Sequence, residues 1–173
     1  MQDIADAAGV TKAALYYHFK DKIDLVSSIL ETEECQLKDG MDEFCTSDAD
    51  LRTALEATAA FLFRSMQGDL PRLIMDVYKQ LPRDTTRKLK MQQSVFDDSC
   101  VTQLLRDAAE EGVTDSEVDP ELASMLWFGM VFAQIRVARM GDGLPMEPDV
   151  LARIITGIFL DGFLNNPVSS PER

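Results

Sequence analysis

At 173 residues, with 46% hydrophobic and 27% charged side chains, the chain has material for one domain with a real core, or for a small module and a larger one, and its composition excludes disorder as the default. A formal net charge of -13 repels phosphate, so any nucleic-acid binding is confined to a locally less acidic face. Residues 1–30 supply one: Lys12, Lys20 and Lys22 stand against Asp3, Asp6, Asp21 and Asp24, a net of -1 that leaves -12 on the other 143 residues.

Other classes are excluded by what the sequence lacks. Cys35, Cys45 and Cys100 are odd in number, far apart and without a C-x-x-C, a pattern of reduced thiols rather than of a disulfide frame or a zinc site. No secretory signal opens the chain, and the longest apolar run, Met125 to Ala133, falls short of a membrane span, so a soluble cytoplasmic protein with no membrane partner is expected. The one histidine is His18, which leaves the rest of the chain without a Ser-His-Asp triad, a Cys-His pair, a common zinc site or an E-x-x-H di-iron helix. A G-x-x-x-x-G-K phosphate loop is absent as well. No enzyme, no cofactor and no metal site is expected.

In chain order, Met1 to Ala8 reads as a short helix with Ile4, Ala5 and Ala8 on one face. Gly9 suits the positive φ of a tight turn, and Thr11 is placed as the N-cap of the next helix. From Lys12 to Phe19, Leu15 and Phe19 lie four apart and face inward, leaving Tyr16, Tyr17 and His18 on other faces. Small residues such as Ala13 at the helix start allow close approach to a groove, while the tyrosines and His18 can donate to phosphate or touch base edges.

The run A-x-x-A-G-V-T-K-x-x-L-Y-Y-H-F-x-x-K-x-x-L in residues 5–25 closely resembles the tetracycline-repressor (TetR) family of transcriptional regulators. The resemblance is specific over about residues 2–30 and architectural thereafter. It implies that Ile4 to Ala8 lie on the family's second helix and Thr11 to Tyr17 on its recognition helix. By the same resemblance Thr11, Lys12, Ala13, Tyr16, Tyr17, His18 and Lys22 form the DNA-contacting set, with Lys22 near a helix N-terminus that favours an anion. The family's first helix would precede the position of Met1, so the helix-turn-helix is incomplete in this sequence, through a start site assigned too late, a shortened chain or a protein that lacks the helix; in the last case the inner faces of Ile4, Ala5, Leu15 and Phe19 would be partly exposed.

Beyond the head the pattern is helical throughout. Ile23 to about Phe44 forms a long connecting helix, Thr46-Ser47-Asp48 breaks it, and further helices are expected at about 49–66, 70–81, 89–111, 121–140 and 150–164. Pro120 suits a first helical turn, and Gly141 to Pro148 is a turn-rich link that makes the last two helices antiparallel neighbours. The fold class is thus all-α: an N-terminal helix-turn-helix over residues 1–22, a connecting helix over 23–45, a helical effector-binding and dimerisation domain over 46–165, and a flexible tail over 166–173.

Two sites follow in that domain. Phe61, Phe63, Met66, Tyr78, Met91, Phe96, Cys100, Trp127 and Phe128 supply aromatic and sulfur surface on converging helices, with Gln103 and Gln134 as orienting groups, and the family resemblance makes this an effector pocket. The apolar last two helices, through Phe132, Arg136, Ile154, Ile155, Ile158, Phe159 and Gly162, offer a dimer interface. The function expected is a ligand-responsive DNA-binding regulator, a repressor released by an apolar small molecule, acting as a homodimer on a palindromic double-stranded operator. The alternative is a helical dimeric module that binds a small molecule or protein but no DNA.

Overall fold

The computed structural model describes residues 1–46, 49–65, 99–114, 118–141 and 143–165. Among the described residues the elements are helices and no strand occurs: α1 Gln2–Ala8, α2 Lys12–His18, α3 Lys22–Asp42, α4 Leu51–Ser65, α5 Cys100–Glu110, α6 Pro120–Met140 and α7 Pro148–Asn165. The helices expected over 70–81 and the start of that over 89–111 lie outside the described residues, as does the tail.

Helix ends are set by local chemistry. Gly9 closes α1 in the left-handed region, with φ 67° and ψ 25°, where a β-carbon would be strained. The Thr11 hydroxyl accepts from Ala14 N at 3.1 Å and starts α2. Asp21 caps α3 by accepting from the backbone N–H groups of Ile23 and Asp24, at 2.8 and 2.9 Å. Ser99 caps α5, and Asp119 caps α6 with Pro120 in the first turn, where its missing N–H costs nothing.

The core is built on α4. Ala54, Leu55, Thr58, Ala59, Ala60, Leu62 and Phe63 are all buried, which leaves this helix little solvent face. Each fully buried leucine or phenylalanine contributes about 1.5–3 kcal/mol by leaving water. α7 lies antiparallel along α4, as two ion pairs show: Arg52 with Asp161 at 3.4 Å near one end, and Arg64 with Asp149 near the other. Both partners are spaced twelve residues apart on their own helix, about 18 Å at 1.5 Å per residue, so the pairs match in register. Exposed ion pairs of this kind contribute at most about 1 kcal/mol. Their main effect is to exclude a slip. Arg64 also holds the Asp149 carboxyl below the usual carboxylate range.

α6 is long and apolar enough to cross a membrane by length and composition, which the run Met125 to Ala133 taken alone did not suggest. Here Ala123, Ser124, Trp127, Phe128, Val131 and Ile135 turn one face of it into the core. α5 packs beside it, tied by Arg106 to Glu121, whose carboxyl is held down to about 2 chiefly by that hydrogen bond.

α3 reaches the core only at its C-terminal end. Met41 is fully buried, the Phe44 and Phe61 rings sit 5.8 Å apart, and Gly40 lies so close to Phe61 that a β-carbon would meet the ring at 2.2 Å. Just beyond α3, Cys45 is disulfide-bonded to Cys100 at the start of α5, which corrects the expectation of three reduced thiols. Their separation of 55 positions hid the pairing, because only the packing of α4 against α3 and α5 brings the sulfurs together. Cys35, on the exposed part of α3, stays free.

Gly40→Leu is expected to lower unfolding stability by about 1–3 kcal/mol, as overpacking does; a urea midpoint equal to that of the parent chain would show that α3 is not held there. Thiol titration after unfolding without reductant should count one free thiol, Cys35, and a count of three would remove the bridge.

Candidate nucleic-acid interface and regulatory body

The N-terminal hairpin is held by a small apolar contact and presents a polar face. Ala5 and Leu15 are buried and Ile4 and Phe19 half-buried, so the expected exposure of this inner face does not apply to Ala5 and Leu15, which α1 and α2 cover mutually. Opposite them Thr11, Lys12, Ala13, Tyr16, Tyr17 and His18 are exposed. Tyr17, 85% exposed, has no burial to explain it. Lys12 Nζ lies 5.9 Å over the Tyr16 ring, and the Tyr17 and His18 rings meet edge to face at 5.1 Å, so these side chains order one another.

Lys22 is exposed at the first position of α3. The neighbouring helix N-terminus is not an open anion site, however. Asp21 occupies two of its N–H groups, and the Asp24 carboxylate accepts from Lys20 N at 2.8 Å. Lys22 therefore offers only its own charge, without help from these donors.

The sequence-derived pocket residues separate. Phe63, Trp127 and Phe128 lie in the main core, Phe61 is half-buried against Phe44 and Gly40, and Gln134 is half-buried on α6. Cys100 is in the disulfide. Gln103 is corrected: it faces solvent on α5, donating to Asp107 at 2.7 Å and accepting from Arg106 at 2.9 Å, and these local partners draw it away from the core. Met66, Tyr78, Met91 and Phe96 lie outside the described residues.

Sequence reasoning missed the hydroxyls inside this body. Thr58, Ser99, Thr102 and Ser124 are buried, and Thr102 Oγ1 bridges Ser99 Oγ at 3.0 Å and Ser124 Oγ at 2.8 Å, joining α5 to α6. Their signal was positional: Ser124 falls three and four residues before Trp127 and Phe128, on one helical face. The Trp127 indole Nε1–H is buried with no hydrogen-bond partner, a state that costs about 1–3 kcal/mol.

The last two helices expose an apolar surface. On α6 it comprises Leu122, Met125 (67% exposed), Leu126, Val137 and Met140 (83% exposed); on α7 it comprises Val150, Ile154 and Ile158 (62% exposed). Gly129 and Gly162 have nothing within 4 Å of where a β-carbon would stand, so both sit on the open side. Of the residues expected at an interface, Ile154, Ile158, Arg136 and Gly162 are exposed and Phe132 is half-buried. Ile155 and Phe159 are corrected: they face the chain's own core, one helical position away from the open stripe.

Comparison with known proteins agrees with this architecture. Residues 1–29 match the family model described as bacterial regulatory proteins, tetR family. The chain is 27% identical over 155 residues to the HTH-type transcriptional activator FasR of Mycolicibacterium smegmatis, covering 86% of this chain and 66% of that protein, just under two thirds of its length. It is 26% identical over 166 residues to the HTH-type transcriptional repressor KstR2 of Rhodococcus jostii, covering 94% and 79%. The crystal structure of the TetR-family regulator PfmR from Thermus thermophilus superposes with a TM-score of 0.67 at 25% identity, over 98% of this chain and 88% of that one. With the hairpin, the connecting helix and the helical body in the same order, the chain has the architecture of TetR-family regulators, and its residues 1–29 match that family's model.

Proposed function

We propose that the chain is a ligand-responsive DNA-binding transcriptional regulator, a cytoplasmic repressor that works as a homodimer on a palindromic operator and is released by an apolar small molecule. The observation that carries the reading is the hairpin's outer face. Lys12, Tyr16, Tyr17 and His18 stand exposed on a helix whose opposite side, through Leu15, is buried, and this face belongs to a segment, residues 1–30, that is nearly neutral in a strongly acidic chain. Such a helix can enter a major groove, with Thr11, Lys12 and Lys22 on phosphates and Ala13, Tyr16, Tyr17 and His18 near base edges.

Dimerisation is supported by the open apolar stripe of α6 and α7, which water solvates poorly and a second copy would cover. Residues 1–22 then read as the DNA-binding portion, 23–45 as the connector and 46–165 as the effector-binding and dimerisation body. An effector that enters this body acts by favouring one separation of the two heads over another; equal affinity for both would move nothing.

Fluorescence anisotropy with duplex DNA flanking the coding region tests the reading. Tyr17→Ala is expected to weaken binding by about tenfold or more, and Lys12→Ala to reduce the slope of log affinity against log salt by about one. Absence of salt-dependent binding, or variants that bind like the parent chain, would leave the helical binding module that does not engage DNA. In sedimentation velocity the combined Met125→Lys and Ile158→Asp change is expected to convert dimer to monomer; a parent chain already monomeric at micromolar concentration would refute the interface.

A further inference from the structure

A buried polar seam crosses the apolar body. Thr58 Oγ1 on α4 lies 3.8 Å from Cys45 Sγ, Cys45 is bonded to Cys100, and Ser99, next to Cys100, joins Thr102 and Ser124 through their hydroxyls. One turn beyond Ser124, on the same core face of α6, the seam reaches Trp127. Thr102 and Ser124 partner each other, whereas the Trp127 Nε1–H has no partner and the whole side chain is 0% exposed.

We propose that Trp127 Nε1–H is the hydrogen-bond donor that recognises the effector, and that the effector is a neutral apolar molecule carrying an accepting oxygen, such as a ketone or ester. This rests on the effector reading given above. An indole nitrogen is a donor only and its hydrogen is fixed in the ring plane, so it cannot turn to a second partner as a hydroxyl can. Thr114 and Thr156, the other buried groups without a partner among the described residues, lie off α6 and outside this seam. A hydrocarbon would fill apolar space yet leave the indole donor unpaired. A carboxylate would accept from it, but among the described residues every buried polar side chain is a hydroxyl, so no buried cation offsets the charge, and the body's net charge is negative. A neutral oxygen meets both conditions.

The chain has a single tryptophan, so isotope-labelled tryptophan gives one indole resonance. The full chain is titrated with methyl octyl ketone, decane and decanoate, three probes of equal carbon number. The ketone is expected to bind about tenfold more tightly than decane and to move the indole proton downfield, which decane does not; decanoate is expected to bind least. Trp127→Phe, checked for folding by circular dichroism and melting, is expected to weaken the ketone about three- to tenfold and to leave decane within about twofold. If that variant does not fold, the indole resonance of the parent chain decides. Equal affinity for ketone and decane, or an indole proton unmoved by bound ketone, overturns the assignment while the apolar-effector reading stands. Failure of all three probes to bind overturns both.

Discussion

Burial of α4 on nearly every side is the constraint that arranges the rest of this molecule. A helix with Ala54, Leu55, Thr58, Ala59, Ala60, Leu62 and Phe63 out of water needs neighbours all round, and α3, α5, α6 and α7 supply them. Its alanines let those helices come close, and the ion pairs of Arg52 and Arg64 fix the direction and register of α7. With Leu151, Ala152, Ile155 and Phe159 turned inward, Ile154 and Ile158 fall on the flank of α7, each about 100° round the helix from Ile155 and Phe159, and are exposed there. A chain that filled both stripes with apolar residues is built to pack on two sides.

The head follows a different economy. Its apolar contact is separate from the main core, with Ala5 and Leu15 buried on the hairpin and Leu25, Val26 and Leu30 buried on the first half of α3, and caps set its helix ends. Gly9, Thr11 and Asp21 each satisfy or redirect backbone groups at a helix end, and a cap of this kind contributes about 1 kcal/mol. Two acidic residues of this segment are occupied in this way. Asp21 and Asp24 turn their carboxylates onto backbone N–H groups, while Lys12, Lys20 and Lys22 are exposed together with Asp3 and Asp6.

This division also governs what was legible in the sequence. Features fixed within a few residues could be read directly: the left-handed Gly9, the Thr11 cap, the first-turn Pro120 and the long helix beginning at Lys22. The two stripes of α7 could not be told apart, since Ile154 and Ile158 have the same spacing and hydrophobicity as Ile155 and Phe159, and only α4 decides which pair is inside. Gln103 appeared suited to a pocket until its neighbours Arg106 and Asp107 were seen to hold it in solvent. The Cys45 to Cys100 bridge and the Thr102 to Ser124 hydroxyl pair join separate helices, and composition carries no record of such meetings.

The same packing bears on how a ligand in the body could act on the head. α3 spans 21 residues, about 30 Å, carries the head at one end, and is fastened at the other by Gly40 and Met41 against α4 and by Cys45 to α5. A side chain displaced near Phe61 therefore acts on the short, fastened end of a long arm. Reversing a two-state balance from 1:99 to 99:1 requires about 5.5 kcal/mol of differential binding. One hydrogen bond to Trp127 supplies roughly 1 kcal/mol of this. The remainder corresponds to about 180 Å² of apolar surface buried in one arrangement and not in the other, at about 25 cal/mol per Å². In the proposed switch, then, apolar contact must do most of the driving, and the indole N–H selects which apolar molecule is allowed to do it.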